Sequence, residues 1–464
     1  MSAADIDTSV LNHFQDLADE ACLTIVLGAG ASVPSGLPDW DSFASTLAIL
    51  SELVPNHKSA RKLLEKQDHM FILEAARSLA GKNWPQYLNE ALYGNKSHSI
   101  GPSALHLAVA NHYAKRSDQT VLATLNYDVL LEHALHEAGI TPTVSIGASH
   151  STGNALVHHL HGAIFDGLAL DPIATFRDYA ELVADPEPWQ KTFLEQALKS
   201  GPLLLAGTSY RDPDIRHWLH VILRDRRPKF PAIVTIAREG LGFKQDEFFE
   251  LNEALKNEWE AIGLSVLVLE DLTDIAQTIR ELQHLGTVDY QSPHDRVKHV
   301  WQRHLRQFEK LQVDYSAALA ANCKSIGTQT DFKAHRGTLW LAHGNQQLTR
   351  WASDAWLYTN VRELKSVPTG HDSAWIASES LSSEEVKIKK VDRDQRVNPK
   401  WDSVLAIPIR VNSGDTASFT PAVVTFGISK NTDQILGDEA TWRSVIGELE
   451  AEWSDRLTLS TYGR

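Results

Sequence analysis

Val26-Leu27-Gly28-Ala29-Gly30-Ala31-Ser32, with Gly36-Leu37-Pro38-Asp39-Trp40 close behind, decides the reading of the amino-terminal part of this chain. An apolar run, Leu23–Leu27, enters a turn of residues with almost no side chain. Such a turn lets backbone N–H groups approach a diphosphate, and a helix directly behind it adds a dipole that favours that charge. Tight strand–helix turns without any ligand also use glycine, so this segment alone leaves both readings open. The spacing departs from the GxGxxG of hydride-transferring folds, because position 33 is Val.

Four further runs share the character of the first. Val121–Thr124, Leu203–Ala206, Ala232–Ala237 and Leu264–Leu269 are short, rich in Val, Ile and Leu, and do not alternate. Strands buried on both faces read this way, and helical periods between them imply right-handed crossovers in a parallel sheet. Asp128–Glu137, Asp212–Arg224, Lys244–Glu258 and Asp271–Leu282 carry those periods, three of them opening on an Asp suited to an N-cap. Residues 39–117 hold several more, including Phe71–Leu79 and Ser103–Tyr113. One crossover needs one helix, so this span is expected to be a helical insertion over a ligand cleft.

Three other segments place polar groups at strand ends, where doubly wound sheets put their ligand contacts. In Thr124-Leu125-Asn126-Tyr127-Asp128 the amide can hold a water or a ribose hydroxyl, while Asp128 suits either a ligand carboxamide or the cap of the next helix. In Val157-His158-His159-Leu160-His161-Gly162, alternation puts His159 and His161 on one face and His158 on the other. An imidazole ahead of a glycine can stand in a cleft and move protons near neutral pH, although a buried or surface histidine reads the same way. Gly207-Thr208-Ser209-Tyr210-Arg211-Asp212-Pro213-Asp214 is a second small-residue turn, whose hydroxyls suit phosphate or ribose as well as a ligand-free cap.

Taken in order, GAGAS…GLPDW, TLNYD, HLHG and GTSYRDPD resemble the sirtuin superfamily over roughly residues 20–285, and within it the NAD-hydrolysing bacterial defence proteins. The resemblance implies that Gly28, Ala29, Gly30 and Ser32 line the NAD diphosphate. It implies that Pro38 and Asp39 close on the nicotinamide, that Asp128 holds the carboxamide, and that Gly207, Thr208 and Ser209 take the adenosine side. It makes Asn126 the holder of the ribose hydroxyl or attacking water and His161 the general base. Deacetylating sirtuins carry four zinc-binding cysteines and an Arg after the Pro-Asp-aromatic triplet; here Asp41 follows Trp40 and Leu125 stands where a Gln is usual. The expected activity is therefore NAD⁺ glycohydrolysis by an abortive-infection antiphage effector. The alternatives are a non-catalytic NAD or ADP-ribose sensor, or a deacylase or ADP-ribosyltransferase. The resemblance also implies self-association and a partner protein such as a HerA-type ATPase or a short Argonaute.

Bulk composition narrows the classes. At 464 residues, 43% hydrophobic and 22% charged, the chain reads as two or three globular domains. The net charge of −15 disfavours direct nucleic-acid binding, and the local cluster Arg224, Arg226, Arg227 and Lys229 suits a solvated helix end. Cys22 and Cys323 are the only cysteines and no CxxC exists, so neither a thiolate zinc site nor a disulfide framework is expected, and no metal. The acidic start, Met1 to Ala21, has no leader pattern and no apolar run reaches a membrane span, so a cytoplasmic protein is expected.

Beyond residue 290 the pattern changes. Val297, Trp301, Leu305, Phe308, Leu311, Tyr315 and Leu319 form one apolar stripe, a helix that would dimerise, pack along the next domain or lie on the first. Trp340, Trp351, Trp356, Trp375, Trp401, Trp442 and Trp453 place seven of the thirteen tryptophans in the last third. Gly337–Ala342 and Gln347–Ala352 alternate, Val404–Val411 and Ala422–Ile428 are linked through Ser413-Gly414-Asp415, and Ala440–Leu457 is helical. The order resembles a GAF-type sensor domain. The expected architecture is α/β: a Rossmann-like doubly wound parallel sheet over 1–290 with its insertion at about 39–117, a helical linker at 291–328, and a smaller α+β domain at 329–464.

Overall fold

The computed structural model describes residues 21–94, 100–147, 155–208, 213–225, 229–330, 332–391, 401–412, 416–429 and 439–463. The chain forms two compact units, one ending at Val268 and the other beginning at Leu269.

The first unit is built on nine strands: β1 (Leu23–Leu27), β2 (Thr120–Thr124), β3 (Thr143–Ser145), β4 (Leu156–His159), β5 (Ala163–Phe165), β6 (Leu168–Leu170), β7 (Leu203–Ala206), β8 (Ala232–Ala237) and β9 (Ser265–Leu269). Seven make one sheet in the order β3-β4-β2-β1-β7-β8-β9, and β5 and β6 make a separate hairpin. The pairs β1–β2, β1–β7, β2–β4, β3–β4 and β7–β8 run parallel. Every residue of β1, β2, β7 and β8 is buried, which is why their sequences show runs instead of alternation. β3 and β4 extend the sheet beyond what the apolar runs announced. β3 is three residues long and partly exposed, and half of β4 is histidine.

Helices Trp40–Leu50, His57–Leu64, His69–Ala80, Trp84–Tyr93 and Ala104–Lys115 occupy the expected insertion. Most of them share a core of their own around Phe43, Leu47, Leu73, Ala76 and Leu88, to which Leu130 and Ile164 also belong. Their starts follow local chemistry: Asn56, Asp68 and Ser103 each accept a backbone N–H from the first turn they precede. Cys22 is half-buried at the entry to β1, and burial pushes its thiol up to about 11, away from the thiolate form.

The second unit carries a six-stranded antiparallel sheet, in the order β12-β11-β10-β15-β14-β13. The strands are β10 (Ala334–Ala342), β11 (Gln347–Ser353), β12 (Ser366–Pro368), β13 (Lys387–Lys390), β14 (Ser403–Val411) and β15 (Phe419–Ile428). Helices Phe308–Gln329, Ile376–Ser383 and Glu439–Tyr462 pack on it, so β14 and β15 are buried almost throughout. The single helix expected over 292–322 is two, Pro293–Arg306 and Phe308–Gln329, parted at Gln307, whose φ of −113° and ψ of 22° leave the helical range. Val297, Phe308, Leu311, Tyr315 and Leu319 are buried in the core with Trp351, Phe426 and Trp453. The apolar stripe is consumed by that packing. The Ser413-Gly414-Asp415 connection, Asp212, Arg226 and Arg227 lie outside the described residues. No helix among the described residues is long and apolar enough to cross a membrane.

Candidate active site

β1 is the switch strand of the sheet, with β2 on one side and β7 on the other. In such sheets the crevice at the carboxyl ends of the strands around the switch is where ligands bind. The ladder continues past each strand here. Leu125 N donates to Leu27 O at 2.8 Å, Gly28 N to Ala206 O at 3.0 Å, Gly30 N to Gly207 O at 2.8 Å and Leu160 N to Thr124 O at 2.9 Å. The GAGAS turn, the TLNYD turn and Gly207-Thr208 are thereby stitched together edge to edge.

The glycines are demanded by that stitching. A Cβ on Gly28 would lie 2.3 Å from Thr208 Cα and 2.6 Å from Gly207 O. Gly207 has φ +65°, and a Cβ there would lie 3.0 Å from Ala31 N. Only backbone fits at the crossing. Thr208 is buried beside it, and its hydroxyl has no hydrogen-bond partner among the described residues. Ser209 lies outside them.

One expectation is corrected at this turn. No α-helix follows Ser32 directly; Ala29–Ala31 and Val33–Ser35 are short 3₁₀ turns. Pro34 removes an N–H in the first turn, Gly36 turns left-handed at φ +88°, and Pro38 interrupts again. The first long helix starts at Trp40, capped by Asp39, whose Oδ1 accepts from Ser42 N at 2.7 Å. Asp39 is exposed and Pro38 half-buried, while Ala29 and Gly30 are the partly exposed residues of the turn.

Inside the crevice a buried polar chain joins three of the named residues. Asn126 Nδ2 donates to Gly28 O at 3.0 Å and to Ser32 Oγ at 2.8 Å. Ser32 Oγ in turn donates to Asp128 Oδ2 at 2.8 Å, and Asp128 Oδ1 accepts from Leu130 N at 3.1 Å. Asp128 thus closes the buried chain with one oxygen and holds the first N–H of helix Leu130–Glu137 with the other. Burial raises the Asp128 carboxyl above the ordinary range, and the Ser32 hydroxyl and the Leu130 N–H pull the other way.

Behind Asn126 stands a pair that the sequence did not single out. His159 Nδ1 lies 3.1 Å from the Asn126 carbonyl oxygen, and its Nε2 lies 2.8 Å from Glu132 Oε1. The imidazole is fully buried. Burial alone would lower its pKa, but the Glu132 carboxylate outweighs it and the net direction is upward. The available signal was a carboxylate on the apolar face of Leu130–Glu137, among Leu130, Leu131, Ala134 and Leu135.

His161 follows the end of β4. β4 ends at His159, so the alternation that would put His159 and His161 on one face stops short of His161. His161 lies half-buried in the turn after the strand, with its carbonyl oxygen accepting from Ile173 N at 2.9 Å. Thr124 and His159 are partners at the ends of β2 and β4, and Asn126 and His161 each lie two residues beyond that pair, past the ends of neighbouring strands. His158, also buried, lies 3.1 Å through Nδ1 from Gly147 O and packs on Phe193.

Residues 120–267 match the SIR2-like domain. The matched span runs from the start of β2 into β9 and contains Asn126, Asp128, His161, Gly207 and Thr208; the GAGAS and GLPDW segments precede it. Among solved structures, Sir2 in complex with the inhibitor EX-527, 2'-O-acetyl-ADP-ribose and a deacetylated p53 peptide is 13% identical, covers 60% of this chain and 99% of its own, and has a TM-score of 0.29. Sir2Tm bound to a propionylated peptide is 12% identical, with coverages of 60% and 98% and a TM-score of 0.28. The reduced form of fRMsr from Staphylococcus aureus is 10% identical, with coverages of 33% and 93% and a TM-score of 0.20. No curated protein matches the chain in sequence.

Proposed function

We propose that the unit ending at Val268 binds NAD⁺ at the switch point and hydrolyses its nicotinamide–ribose bond, releasing nicotinamide and ADP-ribose. The observation that carries this reading is the buried chain Asn126–Ser32–Asp128 at the carboxyl end of β2, directly beside the glycine crossing of Gly28 with Thr208. Gly28 and Gly207 let the two turns cross at backbone contact, which a Cβ at either would prevent, and a turn of that kind is the one that brings backbone N–H groups up to a dinucleotide. The SIR2-like match over 120–267 supports the same substrate.

In this reading the C1'–N bond breaks with its electron pair going to the pyridinium nitrogen, so nicotinamide leaves neutral. Positive charge develops on the ribose, water adds at C1', and one proton is released. Asn126, held by Gly28 O and Ser32, orients the water or the ribose hydroxyl, and His161 accepts the proton. Asp128 takes the carboxamide N–H. No metal takes part in any step.

The wider role proposed is depletion of cellular NAD by an antiphage effector. Supporting it are the four ordered motifs, which resemble those of bacterial NAD-hydrolysing defence proteins. The second unit, proposed as GAF-like, would then serve sensing or self-association, together with a partner such as a HerA-type ATPase or a short Argonaute that would read any nucleic acid. A cytoplasmic location goes with that role.

The test is release of nicotinamide and ADP-ribose from NAD⁺ by the full chain, alone and with whatever protein co-purifies, followed by chromatography without any acceptor protein. Asn126→Ala and His161→Ala should each lower turnover about a hundredfold or more with the fold retained. Turnover unchanged in both variants, or product only when a protein acceptor is added, overturns the reading.

A further inference from the structure

On the hairpin side of the Leu160–Gly162 turn, the first unit encloses a cavity of about 530 Å³. None of Gly28, Ser32, Asn126 and Asp128 lines it. Its size falls within the roughly 300–1,000 Å³ typical of small-molecule sites. We propose that this cavity is a second binding site, and that it takes a compact organic cation: an amine, amidinium or guanidinium on a flat or apolar stem.

Acidic groups predominate around it. Asp171, Asp178 and Glu181 line the cavity, against Arg77 and the buried His159, whose Nε2 is matched by Glu132 Oε1 at 2.8 Å. Arg77 is already matched, its Nη1 donating to Asp178 Oδ1 at 2.6 Å. Asp178 is engaged a second time by Thr175 N at 3.0 Å. Asp171 and Glu181 remain as exposed carboxylates at the rim, and both basic lining residues, Arg77 and His159, are engaged elsewhere, by Asp178 and Glu132. An anion would enter against that field; a cation is drawn in by it.

The walls and floor suit the same ligand. Trp84, only 7% exposed, and Trp189 contribute indole rings, the aromatic faces that hold cations best. Gln190 lies at the floor, 5% exposed, and its Nε2 donates to Leu160 O at 3.2 Å. Its buried Oε1 has no hydrogen-bond partner among the described residues, so the lining holds an acceptor that an entering N–H would complete. A neutral hydrocarbon would leave that acceptor and both rim carboxylates unmatched. His159 both lines this cavity and supports Asn126, but the carboxylates, indoles and Gln190 argued here do not touch Asn126, so the proposal does not rest on NAD hydrolysis.

The experiment titrates benzamidine into the full chain by calorimetry and by tryptophan fluorescence, with benzoate as the anion of the same shape. Benzamidine should saturate one site per chain and quench fluorescence, whereas benzoate should show no saturation. Glu181→Lys, an exposed substitution, should weaken benzamidine about tenfold or more by reversing a rim charge. Trp189→Leu should weaken it and remove most of the quenching. Raising salt from about 0.05 M to about 0.5 M should weaken binding severalfold in the wild type and less in Glu181→Lys. The proposal is overturned by equal binding of benzoate, by absence of saturation with benzamidine, or by Glu181→Lys binding benzamidine as the wild type does. Should Trp189→Leu fail to fold, the Glu181→Lys result decides alone.

Discussion

Ser32→Ala tests the buried chain most directly, because it deletes one atom that two named residues share. The hydroxyl accepts from Asn126 Nδ2 and donates to Asp128 Oδ2, both at 2.8 Å, with Ser32 only 4% exposed. A neutral hydrogen bond contributes about 1 kcal/mol and one to a charged group about 1.5–3 kcal/mol. Asn126 keeps its bond to Gly28 O and Asp128 keeps the Leu130 N–H, so neither is orphaned, and the expected loss is about 2–4 kcal/mol. For a domain of this size that lowers Tm by roughly 5–15 °C. The loss should also depend on pH. The Ser32 bond is one of the interactions holding the Asp128 carboxyl down against burial, so removing it makes the ionised form costlier in the folded state. An acid whose folded pKa is raised loses stability as pH rises above its unfolded value, and Ser32→Ala deepens that loss. Urea unfolding should therefore show a larger difference between variant and wild type at about pH 8 than at about pH 4. Asp128→Asn should remove most of that pH dependence, and the double-mutant cycle should show coupling above about 0.5 kcal/mol. A difference that stays flat with pH, together with additive single variants, would refute the chain as drawn.

Other outcomes follow from the same geometry. Gly162→Ala should cost about 3 kcal/mol or more or prevent folding, because φ is +82° and the new Cβ would lie 2.3 Å from Asp171 O and 2.4 Å from Leu170 O; thermal unfolding and expression level read it. Glu132→Gln should destabilise by about 3–5 kcal/mol, since it breaks a buried pair. In the wild type, the upward-shifted His159 contributes stability that is complete below its unfolded value of 6.5 and is lost as pH rises through its folded value, and the variant should lose that alkaline limb in a stability–pH curve. His106 and His112 are buried with pKa lowered from 6.5 to about 3 and about 4. Their sign is opposite: stability should fall as pH drops below 6.5, with each contributing up to roughly 1.4 kcal/mol per pH unit. His106→Asn should flatten that acid limb, which denaturant unfolding between about pH 4 and 7 would record.

Legibility in the sequence tracked burial on two faces. β1, β2, β7 and β8 lie within the sheet, and their apolar runs named them to within a residue or two. β3 escaped that reading because it is short and partly exposed. β4 was read only as a strand end, from the alternation at 157–162, because histidines fill it; there Gly147 O, Asn126 O and Glu132 give His158 and His159 their buried partners. The hairpin of β5 and β6 escaped because Ala163–Phe165 and Leu168–Leu170 are too short to show a period. In the second unit the stripe from Val297 to Leu319 was plain, but not the break at Gln307, where the backbone leaves the helical range with no proline or glycine to mark it.

The candidate site divides along a different line. Gly28, Asn126 and Asp128 announce themselves because each stands where a strand ends, and strand ends can be counted along the chain. What fixes their positions cannot be counted that way. The Asn126 backbone is held by His159, from a strand more than thirty residues later, which in turn is held by Glu132 on the helix between them. A carboxylate on a helix's apolar face and a histidine in a strand each cost free energy when buried alone. Only the pairing makes either tolerable, and no single segment contains the pair. The same reasoning applies to Asp128, which joins the helix start to the buried chain. Its two oxygens have different partners, Leu130 N and Ser32 Oγ, so the helix start that a cap secures is also what aims the second oxygen at the serine. Removing the cap should therefore disturb the site even where no ligand contact is lost, and a site argued from motif residues alone would assign that effect to the wrong atom.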